Sequence, residues 1–128
     1  MSCYCQLMNS LLNDIVSLAK QAGSQILKIY QSDFTVNYKK DKSPITVADL
    51  ASHEYICQGL RRITPDLPII SEESDLVSFQ KRQSWEKYWL IDPLDGTKEF
   101  LEKNGEFTIN IALIERNKPR LGIIFVPS

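Results

Sequence analysis

Two hydrophobic periods divide this chain and restrict what it can fold into. Leu12, Ile15, Ala19, Ala22, Ile26 and Ile29 recur at alternating steps of three and four. They line one face of an amphipathic helix predicted over residues 9–31. Toward the other end, Phe107, Ile109, Ile111 and Leu113 alternate with Thr108, Asn110 and Ala112, the period of a strand. A helix with one apolar stripe and a strand with one apolar face each need a covering layer. The pairing predicts an α/β layered fold, with helices on a largely antiparallel sheet.

The remaining segments fit between these two. Residues 35–38 read as a short strand and residues 39–44 as a polar loop. A second helix is predicted from Thr46 or Asp49 to about Ile63, with Ala51, Tyr55, Leu60 and Ile63 on its buried side. Thr64-Pro65-Asp66 ends it, because proline cannot continue the hydrogen-bond ladder. Residues 68–71 form a short buried strand leading into Glu72-Glu73, and residues 74–87 a polar loop with at most a turn of helix. Residues 88–91 form a strand that ends at Asp92. Arg116-Asn117-Lys118-Pro119 is a turn, and residues 121–126 return as a hairpin partner. Leu121, Ile123, Ile124, Phe125 and Val126 make that strand almost continuously apolar, as in strands buried on both faces. Left uncovered, such a strand invites self-association. Gly23 inside the first helix predicts close packing there.

Composition narrows the function classes. With 43% hydrophobic and 24% charged residues and a net charge of -1, the 128-residue chain suits one globular domain. It has no basic stripe that would grip a nucleic-acid duplex. No apolar run approaches the ~20 residues of a membrane span. Cys3, Cys5 and Cys57 follow no disulfide or zinc spacing, so a reducing cytoplasm is expected.

Asp92-Pro93-Leu94-Asp95-Gly96-Thr97 is the most informative stretch. An apolar strand delivers Asp92, proline stiffens the exit, and Asp95 follows three residues on. Two carboxylates so placed suit magnesium, which takes hard oxygen ligands at about 2.0–2.1 Å. Gly96 permits close backbone approach, and N–H groups at a helix beginning near Thr97 suit a phosphate. An Asx-type helix cap accounts for Asp95-Gly96 alone. It leaves unexplained Glu72-Glu73 at another strand end and Asp49 beside a helix start. The haloacid-dehalogenase pattern, two aspartates separated by one residue, does not fit.

Ser43-Pro44-Ile45-Thr46-Val47-Ala48-Asp49, then Ile70-Ser71-Glu72-Glu73, then residues 89–100 resemble the inositol-monophosphatase superfamily in order and spacing. Asn104-Gly105-Glu106-Phe107-Thr108 and Leu121-Gly122-Ile123-Ile124 continue the resemblance, which spans essentially the whole chain. Lys98-Glu99-Phe100 is similar to the 3'(2'),5'-bisphosphate nucleotidases of the CysQ type, where inositol monophosphatases usually carry an Asn-Phe pair. The resemblance implies the first half of the sugar-phosphatase-like αβαβα fold. It implies Glu72, Asp92 and Asp95 as side-chain ligands to Mg2+ and the Leu94 carbonyl as a further ligand. Glu72, Leu94, Asp95, Gly96 and Thr97 are implied at the substrate, Gly96 and Thr97 through N–H groups. Asp49 and the Thr97 hydroxyl are implied to orient and activate the attacking water, while Glu73 bonds locally. One magnesium would acidify a water and a second stabilise the leaving oxygen, with in-line attack.

The implied reaction is hydrolysis of adenosine 3',5'-bisphosphate to AMP and phosphate, recycling a by-product of sulfur assimilation. The alternatives are an inositol- or sugar-phosphate phosphatase and a non-catalytic metal- and phosphate-binding half-domain. The superfamily's Trp-Asp motif, which completes the metal site, has no counterpart here: Glu86 follows Trp85 and Leu90 follows Trp89. Residues 1–128 are therefore expected to be an amino-terminal half-domain that is weak or inactive alone. A peripheral position on the inner face of the cell membrane is implied by the resemblance only. His53, in a site of oxygen ligands, is expected to pack rather than catalyse. Lys39, Lys40 and Lys42 could reach a phosphate or simply be solvated. Trp85, Tyr88 and Trp89 are expected to serve the core.

Overall fold

A computed structural model describes residues 3–31, 36–38, 44–73, 79–102 and 105–127. In chain order the elements are α1 (Cys3–Tyr30), β1 (Val36–Tyr38), β2 (Pro44–Thr46), α2 (Val47–Ile63) and β3 (Ile69–Ser71). Then follow α3 (Phe79–Gln83), β4 (Lys87–Asp95), α4 (Thr97–Leu101), β5 (Thr108–Glu115) and β6 (Lys118–Phe125). Strands β3-β4-β5-β6 form one sheet in that order. The β3–β4 pair is parallel and the other two are antiparallel. The layered, largely antiparallel architecture expected from the two periods is therefore the one observed. β1 and β2 pair separately as a two-stranded ribbon.

The predicted helical stripe is the core of α1: Ile15, Ala19, Ala22 and Ile26 are fully buried. They meet Ile56 and Leu60 of α2 and the inward side chains of the sheet, Trp89, Ile91, Ile109, Ile111 and Leu113. Register puts those strand residues on one face, with Trp89 opposite Leu113 and Ile91 opposite Ile111. Trp89 also secures α2, since its Nε1–H donates to Thr64 Oγ1 at 2.8 Å just past the helix end. Tyr30, Phe100 and Phe107 stack with ring centroids 5.2 Å apart, closing the α4 end of the core. Gly23 is closely packed as expected: a Cβ there would lie 2.6 Å from Phe125 Cε1.

Four expectations are corrected. α2 buries Ala48, Asp49, Ser52, Ile56, Cys57, Gly59 and Leu60, whereas Ala51, Tyr55 and Ile63 are only half-buried. The buried stripe is rotated because polar Asp49 and Ser52 go inside with partners. β4 does not stop at Asp92 but runs to Asp95, with a register shift between the two aspartates. Pro93 lies in that shifted stretch, where a missing N–H breaks no ladder bond. The hairpin turn is only Arg116-Asn117, at φ 51° and 63°, the two-residue form that suits sheet twist. Finally, β6 alternates between packed and exposed residues, with Ile124 76% exposed, so one of its faces is open. Residues 39–43 and 74–78, with the loops expected there, lie outside the described residues.

Candidate metal and phosphate site

Three segments converge at the end of the sheet, each placed by a definite backbone feature. Parallel pairing of β3 with β4 continues one step past Ser71, where the Glu72 N–H donates to the Ile91 carbonyl at 3.1 Å. Glu72 is thus set beside Asp92. The register shift carries β4 on to Asp95, opposite Thr108. Gly96 then takes φ 91°, a left-handed conformation that glycine favours, and α4 starts at Thr97. The first turn of α4 is closed by the Phe100 N–H donating to the Gly96 carbonyl at 2.9 Å.

Asp92 is the electrostatic centre. Burial pushes its carboxyl up to about 6, and the negative charges of Asp95, Glu72 and Glu73 push the same way. The Leu94 N–H that it accepts pulls in the opposite direction. Its Oδ1 is buried without a hydrogen-bond partner among the described residues. A buried anionic oxygen left unpaired amid like charges is unfavourable unless a cation arrives. Asp95 is exposed, and its Oδ2 accepts Asn110 Nδ2–H at 3.2 Å; Thr108 Oγ1 donates to Asn110 Oδ1 at 3.3 Å. Among the described residues no three His, Cys, Asp or Glu side chains close into a ready-made cage.

Asp49 stands differently. It is fully buried and both carboxylate oxygens are engaged. Oδ2 accepts from the Thr46 N–H at 2.9 Å and from Thr46 Oγ1 at 2.6 Å, and Oδ1 accepts from Thr97 Oγ1 at 2.9 Å. Thr46 is the N-cap of α2, and with Asp49 it forms a capping box. Asp49 can therefore reach a reacting group only through Thr97, whose hydroxyl proton it holds and whose lone pairs it leaves available.

Two further residues of α2 touch the acidic segments. Ser52 Oγ donates to the Pro93 carbonyl at 2.7 Å, and His53 Nδ1 shares a 2.7 Å hydrogen bond with Ser71 Oγ. Ser71 Oγ also accepts the Glu73 N–H at 3.3 Å. Thr46, Ser52 and Asn110 were missed as site residues in the sequence, although Thr46-x-x-Asp49 is a readable capping signature. Ser52 and His53 lie three and four residues after Asp49, on the same helical face. Glu72, Asp92 and Asn110 also border one end of a furrow of about 600 Å³. Leu90, Ala112 and Ile124 continue it along the outer face of the sheet.

The sequence profile of the inositol monophosphatase family matches residues 8–128. The chain belongs to the inositol monophosphatase family. Within that family it is 50% identical, over 91% of its length, to the 3'(2'),5'-bisphosphate nucleotidase CysQ of Salmonella typhimurium, of which it covers 48%. The chain thus spans about half the length of the curated relatives it matches. Among solved structures of the family, CysQ from Bacteroides thetaiotaomicron is 40% identical with a TM-score of 0.76, covering 92% of this chain and 42% of that one. The extragenic suppressor protein suhB from Bartonella henselae, at 26% identity, superposes with a TM-score of 0.81, covering 92% and 45%.

Proposed function

We propose that these residues carry the metal- and phosphate-binding part of a magnesium-dependent 3'(2'),5'-bisphosphate nucleotidase, acting in the cytoplasm on adenosine 3',5'-bisphosphate. The observation that carries the metal assignment is the buried Asp92 Oδ1, without a hydrogen-bond partner among the described residues and close to the charges of Asp95, Glu72 and Glu73. Half-identity to CysQ relatives supports the substrate class. Glu72, Asp92, Asp95 and the Leu94 carbonyl would hold the ion, all hard oxygen donors. When bound, it supplies Lewis-acid polarisation and offsets phosphoryl charge.

The chain's own residues would act as follows. Asp49, fixed by Thr46, accepts a hydrogen bond from the Thr97 hydroxyl. That orientation turns the Thr97 lone pairs toward a water, which Thr97 aligns and from which it accepts a hydrogen bond. Backbone N–H groups of Gly96 and Thr97, at the left-handed turn, would bind phosphate oxygens. The family's Trp-Asp carboxylate and much of the substrate wall would come from outside these 128 residues. Self-association through the open sheet face would follow in the isolated chain.

Calorimetric titration of the purified chain tests the metal assignment. Weak magnesium binding that Asp92→Asn largely removes is expected, and equal binding by the variant would refute it. Phosphate release from adenosine 3',5'-bisphosphate by residues 1–128 should be orders of magnitude below that of a full-length CysQ. Near-normal turnover would show that the missing-wall assignment is wrong.

A further inference from the structure

We propose that Ser52 and His53 are positioning residues that register the Asp92–Asp95 and Glu72–Glu73 segments against α2, so that this one helix sets the spacing of the metal ligands. The assignment rests on the metal site proposed above and adds to it the device that holds the ligands in place.

The geometry is that of a bar with three attachments. Along one face of α2, Asp49 holds Thr97 at the start of α4, Ser52 holds the Pro93 carbonyl within the aspartate stretch, and His53 holds Ser71 immediately before Glu72. None of these links is local in sequence: they join residues 48, 41 and 18 positions apart. The acidic segments need such a support. Without a cation, Asp92, Asp95 and Glu72 repel one another, and the ladder between Asp92 and Asp95 is interrupted by the register shift. Pro93 has no N–H with which to anchor itself, so its carbonyl is the backbone handle available there.

Ser52 is fully buried and takes that carbonyl, which fixes the plane of the peptide leading to Leu94. His53 works through Ser71, whose hydroxyl bonds both the imidazole and the Glu73 N–H. The imidazole thereby sets the turn that presents Glu72. Cys57 lies one turn further along, with Sγ 3.7 Å from His53 Nδ1. Neither Ser52 nor His53 is placed as a ligand. Residues of this kind orient ligands and typically alter metal affinity by about tenfold or more when removed.

The test uses the full 128-residue chain, magnesium calorimetry, and amide hydrogen exchange read residue by residue. His53→Leu and Ser71→Ala should each weaken magnesium binding about tenfold. The double variant should be no weaker than Ser71→Ala alone, because that change already cuts the link to His53 along with the bond from the Glu73 N–H. His53→Asn, which keeps an amide near the Nδ1 position, should recover most of the loss. Ser52→Ala should weaken binding independently of His53. Exchange at the Glu72 and Glu73 amides should accelerate in His53→Leu while Ile91 and Leu113 in the sheet stay protected.

A folded His53→Leu chain that binds magnesium like wild type, with unchanged Glu72 and Glu73 exchange, overturns the assignment. So does a uniform rise in exchange across the sheet, which would make His53 a fold residue only. A wild-type chain that binds no magnesium overturns the proposed function and this assignment together. Binding by wild type with equal binding by all variants overturns the assignment alone.

Discussion

At the scale of single residues, Asp92 ties stability to binding in opposite directions. Its folded-state proton is held to about pH 6, against an ordinary value of 3.8. Between those values the native chain binds more protons than the unfolded one, so this group's contribution to stability falls as pH rises. Asp92→Asn should therefore stabilise the metal-free protein at pH 7, by about 1–2 kcal/mol once solvent screening of this half-exposed group is allowed for. It should change little at pH 4, and thermal melts at the two pH values check this. Magnesium affinity of the unsubstituted chain should drop as pH falls through about 6, where protonation removes a ligand. Thr97 and Asp49 are expected to behave otherwise. In a complete enzyme, Thr97→Val and Asp49→Asn should lower kcat and kcat/KM together with magnesium affinity largely kept. A loss of affinity as large as that of Asp92→Asn would undo this division of labour.

The α1–α2 crossing makes an element-scale prediction. A Cβ on Gly59 would overlap Leu18 Cδ1 of α1, and Leu18 is itself almost fully buried. Gly59→Ala gains about 1 kcal/mol of helix propensity, but overpacking of this kind costs about 1–3 kcal/mol. Denaturant melts should show net destabilisation in the parent chain, and none when Gly59→Ala is compared with a Leu18→Ala background, which removes the clash at its own cavity cost. The same helix shows what was legible beforehand. The stripes of α1 and β5 were readable because apolar residues alone define them. The buried face of α2 was not, because Asp49 and Ser52 go inside with partners distant in sequence: Thr97 for Asp49, Pro93 for Ser52. Hydropathy counts both as surface residues. The acids of the candidate site, Glu72, Asp92 and Asp95, stood out in the sequence by following apolar runs at close spacing, and the pairing of β3 with β4 sets Glu72 beside Asp92. The Thr46–Asp49 capping box is a local signature, but the hold of Asp49 on Thr97 and of His53 on Ser71 depends on tertiary placement that no local pattern carries.

For the whole molecule, the outer face of the sheet matters most to behaviour in solution. Leu90 is 44% and Ile124 76% exposed on that face, beside Ala112 and Gly122. An apolar surface of this kind, at the edge of a sheet, favours association. Purified residues 1–128 should bind a hydrophobic dye and run larger than a 14.7 kDa monomer in light scattering at micromolar concentration. Ile124→Lys should reduce both signals, and a monodisperse, dye-silent parent chain would count against the expectation. The inner face has a different consequence, one that concerns time. Gly23 of the first helix is covered by Phe125 of the last strand, so one wall of α1 meets its partner only when residue 125 becomes available. At about 5–20 residues per second, a ribosome needs several seconds to make the intervening stretch. Through that interval α1 can dock on α2 but stays bare toward β6, so a nascent chain paused before Phe125 offers a chaperone an apolar groove that the finished fold no longer has.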